Sequence, residues 1–293
     1  MPRASRADLA GVTLGDALPV AVMGVINVSP ESFHAGSVYH GDEAVLRAAL
    51  GMVEAGAALI DVGARSSAPY LPTGISEGEE TERLARAVEM LAAKLPVPVS
   101  ADTSRPAVAR AALQAGARVV NDVSALAEPT LARAVAEHDA GLVIGASPAR
   151  SVRAEGGLIE VRRVEDAIPT VRGILEQALA AARTAGVPDE RIVLDPGIGF
   201  FRDAGVPWHR WDVAVLAGLA ALAGLGRPLC VGVSRKSFVG AITGREDPAA
   251  RLPGSLAATA VAVLGGAALI RTHDVAETVD AVRVAERVRR ATP

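Results

Sequence analysis

The chain has 293 residues, half of them hydrophobic, and a net charge of -3, with a sequence pI near 6.0. That length allows one large core, and the charge supplies no broad basic field for nucleic acid or anionic lipid, so neither is an expected partner and any anion site must be local. No apolar run reaches the roughly 18 residues of a membrane span, the N-terminus lacks a signal-peptide pattern, and the lone Cys230 has no internal disulfide partner, so a soluble cytoplasmic protein is expected.

In chain order, residues 1–18 form an N-terminal extension, and eight short apolar strands then alternate with Ala-rich helical stretches. The first strand, 21–26, stops at Asn27 and is followed by a helix over 42–55. The second, 58–62, contains Asp61 and leads to a helix over 77–94. The third, 97–101, ends at Asp102 before a helix over 105–115. The fourth, 118–121, ends at Asn121 and Asp122 before a helix over 128–139. The fifth, 141–145, runs into GASPARS and offers little chemistry; its helix covers 164–185. The sixth, 191–194, ends at Asp195 in LDPGIGF, with a helix over 210–224. The seventh, 229–233, delivers Ser234, Arg235 and Lys236, with a helix over 254–265. The eighth, 268–271, ends at Arg271 and His273, and a helix over 276–290 closes the chain.

These strands are apolar without alternation, so both faces are buried, as in a parallel sheet covered by helices. Eight strand-helix units without a break in composition predict an α/β fold, a (β/α)8 TIM barrel in a single domain. A doubly wound open sheet is the competing architecture, but NVSPESF follows the first strand where a dinucleotide fold needs G-x-G-x-x-G.

Barrel chemistry sits at the carboxyl ends of the strands, and the polar residues above fall there. The chain has only two asparagines and two lysines, and Asn27, Asn121 and Lys236 all land on that rim, whereas Lys94 ends a helix as a surface charge. Plainer readings compete residue by residue. Asp102 can cap the helix starting near Pro106. Asp61 can be a turn residue, and Asp195 can form an Asx-turn before Pro196. No pair of histidines has metal-ligand spacing, so zinc is not expected. Taken together, acceptors on the third, fourth and sixth strands suit the edge of a flat heterocycle bearing an amino group and a ring NH. Arg271 and His273, with Asn27 beside them in a closed barrel, suit an anion.

The blocks MGVINVSPESF, LIDVGA, SADTSRPAVARAAL, VNDVSAL, LDPGIGF, GVSRKSFVG and RTHDV resemble those of the dihydropteroate synthase family, in order and over nearly the whole chain. The resemblance implies one pterin-binding TIM-barrel domain over 1–293 that joins 6-hydroxymethyl-7,8-dihydropterin pyrophosphate to p-aminobenzoate with Mg2+, as a homodimer. It assigns the pterin pocket to Asp102, Asn121, Asp195 and Lys236, supported by Asp61. It assigns the pyrophosphate end to Arg271 and His273, with Asn27 toward the metal. Ser234, with Phe33 and Phe200, falls on the aminobenzoate wall, and Ser67 and Arg235 join the substrate contacts. Asp102, Lys236, Arg271 and His273 are the implied catalytic set. The chain departs from the family pattern at Ala35 and Ala68, where an aspartate and an arginine are expected, and at Phe201 and Arg202, where a glycine and a lysine are expected. Those departures keep open a relative that binds pterins without synthase turnover, one that takes another aryl amine, or a pterin-dependent methyltransferase.

Overall fold

The computed structural model describes residues 5–15, 17–28, 41–65, 74–148, 163–202 and 206–291. Phe33, Ser67 and the departures at Ala35 and Ala68 lie outside them. A hairpin comes first, β1 (Arg6–Leu9) and β2 (Val12–Gly15). Strand-helix units follow: β3 (Ala21–Asn27), α1 (Asp42–Glu54), β4 (Leu59–Gly63), α2 (Glu77–Ala92), β5 (Val99–Asp102), α3 (Pro106–Gln114), β6 (Val119–Asp122) and α4 (Pro129–Glu137). The chain continues through β7 (Gly141–Gly145), α5 (Ala167–Thr184), β8 (Ile192–Asp195), α6 (Trp208–Ala217), β9 (Leu229–Gly232), α7 (Ser237–Thr243), α8 (Leu252–Leu264), β10 (Ala267–Thr272) and α9 (Val275–Ala291).

Strands β3 to β10 pair in parallel and close, with β10 beside β3, which makes the predicted (β/α)8 barrel. The helices form where the local signals require them. Ser76 caps α2 by accepting the Glu79 amide at 3.2 Å, Glu77, Glu79 and Glu80 occupy the first turn, and Leu84, Val88 and Leu91 form the buried stripe at i, i+4 and i+7. Pro106 and Pro129 start α3 and α4, where a missing N–H costs nothing.

Two features depart from the sequence expectation. The stretch read as an extension contains the β1–β2 hairpin, which plugs the amino end of the barrel: Leu9 and Leu14 are fully buried in one cluster with Met23, Leu59, Val119, Val143, Val193 and Cys230. The helix expected over 210–224 stops at Ala217 and gives way to a tighter 3-10 turn over Leu219–Leu225, and the short α7 was not anticipated. The hairpin is set by contacts with distant strands rather than by local periodicity.

Candidate functional site

Side chains of a strand alternate between faces, so every second residue of a barrel strand points inward. The inward residues Leu59, Val119, Val193 and Leu269 belong to the apolar layer above the hairpin. Two residues further along the same strands stand Asp61, Asn121, Asp195 and Arg271, so the polar site is the next layer of the barrel interior. Register brings these strands level, with Asp61 opposite Ser100, Gly63 opposite Asp102, Asp102 opposite Asn121 and Gly145 opposite Asp195.

Arg271 crosses the barrel from β10 and donates from Nε to Asp61 at 2.7 Å and from Nη2 to Asp102 at 2.8 Å. Asp61, fully buried, also accepts from Asn121 Nδ2 at 3.0 Å and from Ser100 Oγ at 2.6 Å. The turn reading of Asp61 is thereby excluded: its carboxylate is saturated inside the barrel and orients Arg271 and Asn121. The capping reading of Asp102 fails likewise, because α3 begins after Arg105 without a side-chain cap and Asp102 turns to Arg271. Burial lifts Asp102 to about 7; Arg271 opposes that rise and Asp61 adds to it. Burial alone would lower the Arg271 pKa, yet Asp61 and Asp102 raise it above the ordinary range, so the guanidinium stays charged.

Across the barrel, Asp195 does two things at once. Its Oδ1 accepts the Gly197 amide at 2.7 Å, forming the Asx-turn of LDPGIGF, while burial raises its pKa against the pull of that amide and of Lys236. Gly197 has φ 73, and a Cβ there would stand 2.0 Å from the Ala146 carbonyl oxygen, so this turn requires glycine to pack on the chain leaving β7. Lys236, its pKa lowered by burial and supported by Asp195, lies with Nζ 4.8 Å from the centre of the Phe200 ring. The glycine and lysine expected at 201 and 202 are replaced without opening the pocket: Phe201 is 2% exposed with its ring 5.0 Å from Trp211, and the Arg202 guanidinium lies 4.1 Å over Trp208.

The loops after β9 and β10 brace each other. Ser234 Oγ and His273 Nδ1 are 3.1 Å apart, and the His273 amide donates to Ser234 Oγ at 3.2 Å. Arg235 has φ 56, a left-handed value strained for a residue other than glycine, and is held there by Ser255 on its amide and Arg251 on its carbonyl. Its guanidinium forms a fork with Asp274. Arg235 therefore sits as a clamp between the two loops and places Lys236 beside it.

Sequence reasoning missed a second network at the mouth. Glu80 from α2, fully buried, accepts from Thr103 Oγ1 at 2.7 Å and pairs with Arg65 at 3.2 Å and Arg105 at 2.9 Å. A glutamate in the first turn of an amphipathic helix reads as surface charge, and only the fold turns it inward. Among the described residues no three His, Cys, Asp or Glu side chains gather as a ready-made metal cage. Asn27 offers one hard amide oxygen at the end of β3, with Oδ1 near Gly63 and the Asp102 carboxylate on the same side. That donor set suits a cation that keeps water and substrate oxygens as most of its shell, as Mg2+ does.

A family model for pterin binding enzymes matches residues 23–273. The dihydropteroate synthase of Mycobacterium leprae is 40% identical over 272 residues, 91% of this chain and 92% of that protein. That of Synechocystis sp. is 37% identical over 267 residues, 90% of this chain and 89% of its own. The Xanthomonas albilineans dihydropteroate synthase solved in complex with 7,8-dihydropteroate superposes with a TM-score of 0.81 at 37% identity, covering 98% of this chain and 100% of that one.

Proposed function

This chain belongs to the dihydropteroate synthase family of pterin-binding enzymes, and we propose that it is a cytoplasmic, Mg2+-assisted homodimer that joins 6-hydroxymethyl-7,8-dihydropterin pyrophosphate to p-aminobenzoate. The observation that carries the reading is the convergence of Asp61, Asp102, Asn121, Asp195, Lys236 and Arg271 in one polar layer of the barrel. Asn121 and Asp195 grip the amino and ring NH edge of the pterin, and Lys236 donates to its ring acceptors. The reaction breaks the bond between the pterin methylene carbon and the pyrophosphate oxygen. The oxygen leaves with the electron pair, and the arylamine nitrogen forms the new C–N bond and then loses a proton to solvent.

Two charges develop together, positive on the methylene carbon and negative on the departing pyrophosphate. An ionised Asp102 under the ring favours the first. Arg271, held in the barrel by Asp61 and Asp102, and His273 beside Ser234 favour the second. Asn27 would hold Mg2+, which would supply charge neutralisation for the leaving group. The dimer is supported by an exposed apolar strip on the adjoining helices α8 and α9, where Val261, Leu264 and Val284 are 45%, 49% and 66% exposed.

The test is purified protein with Mg2+ and both substrates. Release of pyrophosphate matched by dihydropteroate formation is expected, and no release above the uncatalysed rate overturns the proposal. In the same preparation Asp195→Asn should weaken pterin binding by about 1.5–3 kcal/mol by calorimetry, the range for a hydrogen bond to a charged group.

A further inference from the structure

Behind the pterin layer lies a buried carboxylate that no motif singles out. Asp212, on α6, is 1% exposed. Its Oδ1 accepts the Gly199 amide at 2.8 Å, while Oδ2 is buried and has no hydrogen-bond partner among the described residues. Burying half a carboxylate in this way is costly unless its charge is used. The groups that face it are the Gly199 amide, Lys236, Arg202 and His209, all of which oppose the rise to about 6 that burial imposes.

Of the three basic side chains, Lys236 is the one in the pocket. A Cβ on Gly199 would stand 3.1 Å from Lys236 Cδ and 3.3 Å from Nζ, so the aliphatic stem and the ammonium lie along that glycine. The same residue gives its amide to Asp212. The loop's Phe200 ring lies under the ammonium, and Arg202 ties the loop back by donating to the Gly199 carbonyl at 3.2 Å. Lys236 in turn is faced by Asp195 from β8, Asp212 from α6, Arg271 from β10 and Arg202 from the loop. Two carboxylates thus answer two guanidinium groups around one buried ammonium.

We infer that Asp212 is a positioning residue of the pterin pocket: it fixes the Gly199 peptide and supplies, together with Asp195, the negative charge that holds the Lys236 ammonium over Phe200. The inference rests on the proposed pterin site, since it acts through Lys236 and touches no substrate. Asp212→Asn keeps an acceptor for the Gly199 amide and removes only the charge, so it separates the two duties.

The experiment is calorimetry of the full chain with 7,8-dihydropteroate between pH 6 and 10, for wild type, Asp212→Asn, Asp212→Glu, Lys236→Met and the Asp212→Asn/Lys236→Met double variant. Asp212→Asn should bind about tenfold more weakly at pH 8, which is about 1.4 kcal/mol. Its alkaline limb should move to lower pH by about one unit, because a carboxylate that favours the charged lysine has gone. Asp212→Glu should leave that limb in place, and it decides the matter alone if the asparagine variant does not fold. With Lys236→Met in the background, Asp212→Asn should cost less than about twofold. An unmoved limb in Asp212→Asn, a moved one in Asp212→Glu, or an equal loss in both backgrounds overturns the inference. Wild type that binds dihydropteroate while Asp212→Asn behaves identically sinks this inference alone, whereas wild type that binds none sinks the proposed function with it.

Discussion

At the residue scale, the site is governed by how few partners its charges have and how deeply they lie. Asp61 has no exposed surface and serves Arg271, Asn121 and Ser100 at once. Asp61→Ala should therefore cost about 3–5 kcal/mol of stability, the loss for removing one partner of a buried ion pair, measurable as a lower denaturation midpoint in urea. Asp102 acts differently, because its place between burial and Arg271 leaves it near neutrality at about 7. An acid with a raised pKa is protonated below that value and charged above it. The protonated form has no charge to offer a methylene cation, so kcat should rise as pH increases from 6 to 8. Asp102→Asn should flatten this rise and lower kcat roughly a hundredfold, as loss of a preorganised electrostatic group does; a rise of the same size in the variant would assign the titration to another group.

At the element scale, the amino-terminal hairpin does work that its sequence conceals. Its four-residue strands are too short to announce themselves by alternation, yet Leu9 and Leu14 complete the floor of the barrel interior. Leu14→Ala should destabilise the protein by about 2–5 kcal/mol through lost burial and the cavity left behind, seen as a fall in Tm with pterin binding retained at low temperature. The loop from Gly197 to Arg202 shows the converse. Its aspartate and glycines are conspicuous in the sequence, and the structure uses them for two purposes, since Asp195 both turns the chain through Gly197 and faces the pocket. Phe201, a departure from the family pattern, became a core residue against Trp211, which explains how the loop keeps its course without the expected glycine.

At the scale of the whole molecule, closure of the barrel converts a list of strand ends into a site. Arg271 reaches Asp61 and Asp102 only because β10 lies beside β3 and the interior is narrow enough for one guanidinium to span it. The outer surface carries the other large-scale feature, the apolar strip of α8 and α9. On the proposed dimer, Val284→Glu should place a charge in that strip and shift the assembly toward monomer in analytical ultracentrifugation, with the barrel still folded by circular dichroism. A dimer of undiminished stability in the variant would move the interface elsewhere.

The sequence by itself determined the eight strand-helix units, their order, the end of the barrel that bears the polar residues and the family to which they point. Those signals are local: apolar runs, caps, prolines and the residue that follows each strand. Only the tertiary structure decided which carboxylate is saturated, that Arg271 is held by Asp61 and Asp102, that Arg235 is engaged by Asp274, and that Glu80 and Asp212 are buried partners of the site. These facts depend on contacts between residues as many as 210 positions apart and on the burial that closure imposes, and a side chain carries no mark of either in the sequence around it.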